Sequence, residues 1–337
     1  MTAPFKTFAL RVSGFLLVPL LVVVAAEAWV RAQPNAARYK HAWLADSAAS
    51  VGTLVLGSSH TYYGICPETL ADDAFSLALP SQTLRYDLAL LRRYPLPRLH
   101  TLVVPLSYFT LHEDLETTSC EPHTAARYRI YMDVDEHAAW SRYGFEAAWP
   151  AAFREKLRRA LRGERMTWSR RGQGLDFRPE KNEKPIDNGR ERAEANTFAD
   201  AGEAFRDNVR RLDEIAAWCR ARGVRLVLLT TPVSEAFRRH EDATQRKAVD
   251  AACRGLLRRY PEIVRLDYSA DSRFGAADFH DADHLNTRGA EKLTRLVRES
   301  LRRRGLSGRA RAAAQVSAGK SRPSRQNAVT LCHTNQT

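Results

Sequence analysis

Between residues 53 and 301 the chain alternates two patterns. Short apolar or β-branched runs fall at Thr53–Leu56, Ala74–Leu79, Thr101–Val104 (within Leu99–Tyr108), Val224–Thr230 and Ile263–Tyr268, each the length of a buried strand. Between them, apolar residues recur every three or four positions: Leu84, Leu88 and Leu91; Phe205, Val209, Leu212, Ile215 and Cys219; Val249, Cys253, Leu256 and Leu257; Leu293, Leu296, Val297 and Leu301. That spacing puts them on one face of a helix. Gly223 is placed to close the second of these helices, and Asn286 or Thr287 to open the last. Strands without polar alternation, interleaved with amphipathic helices, predict an α/β fold with a central, mostly parallel five-stranded sheet covered on both faces. Ligands in such folds bind beyond the carboxyl ends of the strands.

From Thr110 to Asp200 the pattern dissolves into mixed charge and scattered tryptophans, with Arg178–Arg192 reading as loop. An insertion this long predicts a lid or cap over the strand ends. Within it, Arg127–Tyr131 alternates and could pair as a strand or lie along a groove. Val12–Ala26 is fifteen residues without a charge, preceded by Lys6 and Arg11. Its length lies between a signal-peptide core and a full membrane span, and Ala26-Glu-Ala28 is a possible cleavage site. Trp29, suited to a membrane interface, favours a retained anchor. Either way the bulk of the chain is expected outside the cytoplasm, periplasmic or on the cell surface. The organisation expected is 1–30 anchor or signal, 31–50 linker, 51–304 α/β domain carrying the 110–200 insertion, and 305–337 tail.

The 337 residues carry a net charge of +13, which invites a nucleic-acid partner. Eight basic residues and no acid lie between Arg302 and Thr337, leaving +5 over residues 1–301 with both signs interspersed. The charge therefore belongs to an Ala/Ser/Gly-rich tail expected to be disordered, and no nucleic-acid partner is expected. Five cysteines without a Cys-x-x-Cys pair argue against a zinc module or a disulfide framework. Cys66 and Cys120 each follow a strand region and could bridge; Cys219 and Cys253 fall on helical apolar faces as packing residues.

Two polar clusters carry the chemistry. Leu56-Gly-Ser-Ser-His60 follows the first strand, and Phe279-His-Asp-Ala-Asp-His-Leu-Asn286 precedes the last helix. Acyl transfer needs a nucleophile, a base, an orienting acid and oxyanion donors. Ser59 is the candidate nucleophile, His284 the base and Asp281, three residues earlier, the orienting carboxylate. The Ser59 N–H is one candidate oxyanion donor. His60 and Tyr62 could line the pocket, as could Gln82 and Tyr108. The bland alternatives are a helix-capping serine and a histidine held at a helix start. His280, Asp281, Asp283 and His284 also have the composition of a metal cluster, but four ligands so close in sequence crowd one ion; no metal and no cofactor are expected.

Gly57-Ser-Ser59 near the start of the domain and Asp281-Ala-Asp-His284 near its end resemble the first and last blocks of the SGNH/GDSL hydrolase superfamily. The resemblance implies a flavodoxin-like sandwich and assigns Ser59, Asp281 and His284 as the triad. With an N-terminal anchor and a long insertion, the chain is similar to the membrane-anchored envelope branch, which includes the D-alanyl transfer protein of teichoic acids and relatives of polysaccharide O-acetyltransferases. The middle blocks depart from the pattern. Ser76–Ser81 lacks the family's glycine donor, so a backbone N–H at Ala78 or Ser81 would stand in. Pro105-Leu-Ser107-Tyr108 replaces Gly-x-Asn-Asp, so the Ser107 hydroxyl would replace the asparagine amide. The expectation is a serine esterase or O-acyltransferase acting on an envelope or exported glycan, with a membrane-bound acyltransferase as a possible partner. The alternative is a non-catalytic component of the same fold that binds polymer or acts as a scaffold.

Overall fold

The computed structural model describes residues 3–115, 121–134, 136, 144–146, 150–163, 167–179, 186–198 and 202–305. The first helix, α1 (Ala3–Ala32), is long and apolar enough to cross a membrane, with a mean hydropathy of 2.3 in its most apolar window and none of that window buried against the protein. Its last turn behaves differently: Glu27 and Val30 are buried in the domain. Helix α2 (Ala36–Ser47) follows, capped by Asn35, whose side chain accepts from the Arg38 N–H at 2.7 Å. It buries Ala36, Ala37, Lys40 and Leu44, so the segment expected as a linker is a packed part of the domain. Its buried face holds a single large apolar residue, Leu44, beside two alanines and a lysine, too few for an apolar period to show in the sequence.

The chain then runs β1 (Thr53–Val55), α3 (Ser59–Gly64), α4 (Pro67–Leu70), β2 (Ala74–Ser76), α5 (Leu84–Arg93) and β3 (Thr101–Pro105). The insertion holds α6 (Glu121–Met132), α7 (Pro150–Arg162), an antiparallel bridge between Trp168 and Gly174, and α8 (Gly189–Ala195). The second half is α9 (Gly202–Arg222), β4 (Arg225–Thr230), α10 (Glu235–Arg238), α11 (Ala243–Arg259), β5 (Val264–Asp267) and α12 (Thr287–Arg303). The five strands pair in the order β2-β1-β3-β4-β5, every pair parallel. This is a doubly wound order whose direction reverses between β1 and β3, where a crevice opens at the carboxyl ends.

Alternate strand residues feed the two faces. Leu54, Phe75, Leu102, Leu226 and Leu228 pack with α2, α5, α9 and α11, whereas Val55, Val103, Val227, Leu229 and Leu266 pack with α12 and the residues around α4. Gly223 closes α9 at φ +65°, and Asn286 caps α12 by accepting from the Gly289 N–H at 3.0 Å, both as the sequence predicts.

Arg127–Tyr131 is helix, neither strand nor groove-lining chain. Its alternation samples a helical stripe: Thr124, Ala125, Tyr128, Tyr131 and Met132 are buried, and the Tyr128 ring stacks on Tyr86 with centroids 4.0 Å apart. Cys219 and Cys253 are buried free thiols and Cys66 is a half-buried one; Cys120, and with it the possible bridge, lies outside the described residues, as does the tail beyond Gly305.

Candidate active site

The site begins with a turn that only glycine can make. At Gly57 the backbone has φ +108°, and a Cβ there would lie 2.2 Å from Pro105 Cγ. The turn is stapled on three sides. Gly57 N–H donates to Asp87 Oδ1 at 2.9 Å, Leu79 N–H donates to the Gly57 carbonyl at 3.0 Å, and Thr61 Oγ1 donates to the Leu56 carbonyl at 2.7 Å. Ser59 emerges half-exposed at the first position of α3, with its neighbours Ser58 and His60 buried. Burial pushes the Asp87 carboxyl up to about 7, against the hydrogen bonds from Gln82 and Gly57 that favour its charge.

From the other end of the chain, Asp281 fixes its own turn. Its Oδ1 accepts the backbone N–H groups of Asp283 at 3.1 Å and His284 at 2.8 Å, the side-chain-to-backbone bonding that makes aspartate a turn former. The same carboxylate lies 3.0 Å through each oxygen from His284 Nδ1, and His284 Nε2 lies 2.8 Å from Ser59 Oγ. The structure therefore brings Ser59, His284 and Asp281 into one hydrogen-bonded line across 225 residues of sequence. For His284, burial disfavours the charged ring, but hydrogen bonds and charge from Asp281 and Asp283 outweigh it and raise the pKa to about 9. For Asp281, burial opposes ionisation and the His284 contact prevails, holding the carboxyl below its usual range.

Behind this line lies a second polar layer that sequence reasoning did not assemble. The Asp283 side chain is fully buried and receives Arg192 Nε at 2.6 Å, Arg192 Nη2 at 3.0 Å and Asn196 Nδ2 at 3.2 Å. Its Oδ2 is also 3.2 Å from His60 Nε2, and its Oδ1 is 3.4 Å from His284 Nδ1. Burial alone would protonate Asp283; the donors from His284, His60 and Arg192 hold its carboxyl far below the ordinary range instead. Burial also lowers the pKa of His60, against the Asp283 hydrogen bond. A neutral His60 that donates from Nε2 to Asp283 leaves Nδ1 to accept from Thr231 Oγ1 at 3.3 Å. His60, Asp283 and His284 present atoms within 4.8 Å of one another, a spacing a metal ion could use, but here the Arg192 guanidinium supplies the positive charge on Asp283. His280 stands apart from that group, exposed and stacked on Phe177 at 3.8 Å.

The insertion thus reaches the site through Arg192, Asn196 and Phe177. The Phe177 ring is sandwiched between Tyr63 and His280, each 3.8 Å away, with its edge toward His284 at 5.5 Å. Tyr63, the neighbour of the expected Tyr62, is the half-exposed ring beside the histidine. Tyr62 points into the core, wholly buried, with Lys40 Nζ 4.8 Å from its ring centroid. Gln82 is also inside: Nε2 donates to Asp87 Oδ1 at 2.6 Å and Oε1 accepts from the Tyr128 hydroxyl at 2.8 Å. Tyr108 is buried too, its hydroxyl 2.7 Å from Thr197 Oγ1 and accepting from the Asp242 N–H. These three rigidify the floor; their polar atoms face protein.

Of the oxyanion candidates, neither the Ser59 nor the Ala78 N–H donates to an acceptor among the described residues. Ala78 is wholly buried, with its carbonyl accepting from the buried Lys40. The Ser107 N–H is committed to Thr110 Oγ1 at 2.9 Å, so only its hydroxyl, 3.5 Å from His60 Nδ1, is left to give.

No family model matches the chain, and neither does any curated protein sequence. Among solved structures it is similar to a GDSL-like lipase from Bacteroides thetaiotaomicron, with a TM-score of 0.40 and 11% identity over 80% of this chain and 99% of that one. It is similar also to the lipase/acylhydrolase from Enterococcus faecalis, with a TM-score of 0.36 and 12% identity over 75% of this chain and 97% of that one. Fold and site define the class from this chain alone: a doubly wound α/β protein with a five-stranded parallel sheet and a serine–histidine–aspartate line at its carboxyl edge.

Proposed function

We propose that this protein is a membrane-anchored serine acyl-ester hydrolase or O-acyltransferase of the SGNH/GDSL kind, acting on an envelope or exported glycan. The observation that carries it is the Ser59 Oγ to His284 Nε2 distance of 2.8 Å, with Asp281 on the opposite ring nitrogen. In the first half-reaction Ser59 Oγ attacks the acyl carbonyl while His284 Nε2 takes its proton. Collapse of the tetrahedral intermediate expels the alcohol, which takes that proton from the imidazolium and leaves acyl-Ser59. In the second half-reaction water or a sugar hydroxyl attacks the acyl carbon, His284 accepts the attacker's proton, and the same proton returns to Ser59 Oγ. Asp281 orients the ring and stabilises its charge throughout. The Ser59 and Ala78 N–H groups and the Ser107 hydroxyl are assigned to the oxyanion.

Support for a retained anchor comes from the way the end of α1 is keyed into the domain. Glu27 Oε1 accepts the Glu146 N–H at 3.1 Å, and Arg31 Nη2 donates to the Gly144 carbonyl at 2.9 Å. Cleavage after Ala28 would remove Glu27 from that joint. The reading of transfer over hydrolysis rests on the insertion reaching the site, with the Phe177 ring 5.5 Å from that of His284 and Arg192 on Asp283, where a closed insertion would limit the approach of water.

The test is a fluorophosphonate probe read by intact mass. Wild type is expected to gain one adduct, and Ser59→Ala and His284→Ala none. An unlabelled but folded wild type would leave the non-catalytic binding or scaffold reading, which the altered oxyanion blocks motivate. The pH profile is a second expected outcome. With the His284 pKa raised to about 9, only the neutral fraction can accept the serine proton. Labelling should accelerate roughly tenfold per pH unit below that value and level off above it. A rate that is flat between about pH 6 and 8 would contradict the raised histidine pKa.

A further inference from the structure

Outside α1, every exposed large aliphatic or phenylalanine side chain among the described residues lies in one place: Phe145 (56% exposed), Leu157 (37%) and Leu161 (80%). Such side chains gathered on one patch mark a surface that something covers. Helix α7 is built for that role. Phe153, Leu157 and Leu161 stand four residues apart on a single stripe, and Arg154, Arg158 and Arg162 form the adjoining row. The stripe starts against the apolar first helix: the Phe153 ring packs on Trp29 with centroids 5.8 Å apart, and Lys156 Nζ donates to the Val30 carbonyl at 3.3 Å. Lys156 also pairs with Glu146, whose backbone N–H is held by Glu27, so Phe145 is fixed beside the same last turn of α1.

We propose that α7 and the turn at Phe145 lie on the surface of the bilayer that α1 enters, with Leu157, Leu161 and Phe145 among the upper acyl carbons and the arginine row among anionic phospholipid headgroups. Two observations select this occupant over another protein. The patch is continuous with α1, the one helix among the described residues long and apolar enough to span a membrane, where Trp29 has the amphipathic ring of an interface residue. The helix carries four arginines, three of which, Arg154, Arg158 and Arg162, form the row beside the stripe. An amphipathic helix of that composition binds the interface by burying its stripe while its arginines reach phosphate. The domain would then be held against the membrane at two points, α1 and α7, and would present its site to substrates confined to that surface.

The inference rests on α1 being a membrane anchor, so the experiment reads the two separately. The full-length protein, with its native cysteines replaced and its fold checked by circular dichroism, is reconstituted in vesicles of phosphatidylcholine with phosphatidylglycerol. An environment-sensitive fluorophore is placed at Leu161→Cys or at Phe15→Cys, and lipids carrying a nitroxide near the headgroup or in the acyl chain serve as quenchers. The proposal expects the 161 label to be quenched about twofold or more by the shallow nitroxide. That quenching should weaken in phosphatidylcholine alone and in a variant with Arg154, Arg158 and Arg162 changed to Gln. Quenching at 15 with none at 161 would overturn this inference and leave the anchor standing. No quenching at either position would overturn both. Protection at 161 that depends on protein concentration and not on lipid would identify a second copy as the occupant and likewise overturn it.

Discussion

Asp281→Asn is expected to lower the rate of serine labelling by about 10⁴-fold with little change in stability. The size follows from where the carboxylate oxygens are committed. Oδ1 accepts two backbone N–H groups, from Asp283 and His284, so an amide at this position keeps its oxygen there. The amide nitrogen then occupies the place of Oδ2, 3.0 Å from His284 Nδ1, and offers a hydrogen where the ring also carries one. The favoured response is to move the ring proton to Nε2, the atom 2.8 Å from Ser59 Oγ, where it blocks acceptance of the serine proton. Asp283 Oδ1, 3.4 Å from the same Nδ1, is a second carboxylate within reach, so Asp281→Ala should lose less than Asp281→Asn if Asp283 can take over the ring. The comparison of the two variants by probe kinetics is therefore diagnostic. Equal rates for wild type and Asp281→Asn would remove the orienting role from Asp281.

The extent to which this site could be read from the sequence follows from what kind of force assembles each part. Ser59, His284 and Asp281 sit in short local motifs whose turns are made by their own residues: Gly57 by its positive φ, Asp281 by its bonds to the next two amides. Local chemistry of that kind is visible in a string of letters. The sheet was legible for the same reason, since buried parallel strands are continuous apolar runs, and each strand appeared within a residue or three of its expected end. What was not legible is contact made across the fold. Gln82, Tyr62 and Tyr108 have polar groups that look suited to substrate, yet Gln82 bonds Asp87, the Tyr108 hydroxyl bonds Thr197, and Tyr62 is buried with its ring under Lys40. Arg192 lies in a charge-mixed stretch that reads as loop, and only the tertiary structure sets it on Asp283, 91 positions away. One signal was present. An aspartate beside a buried histidine at a helix start cannot be buried unpaired, so Asp283 called for a cation from somewhere in the chain.

That pairing carries the second large effect. Arg192→Ala is expected to destabilise the protein by about 3 kcal/mol, the lower part of the range for breaking a buried pair, because the Arg192 side chain keeps some contact with water. Asp283 has no solvent contact of its own. Without the guanidinium it keeps only Asn196 and the histidines as donors, and its carboxyl must either stay charged in a poor environment or take up a proton. The sign of the pH dependence distinguishes this from simple loss of packing. In the wild type the depressed Asp283 pKa contributes stability above the carboxylate's unfolded value, and that contribution is lost as pH falls through the folded one. In Arg192→Ala the folded pKa moves up toward or past the unfolded value, so the deficit should be largest at neutral pH and shrink in acid. The double variant Arg192→Ala/Asp283→Asn removes the stranded charge and should recover a large part of the loss in a urea titration. Additive losses in that cycle would show that Arg192 acts through α8 packing and not through Asp283. Activity should not recover in parallel, because the pair also holds His60 and the inserted helix against the histidine that must accept the serine proton.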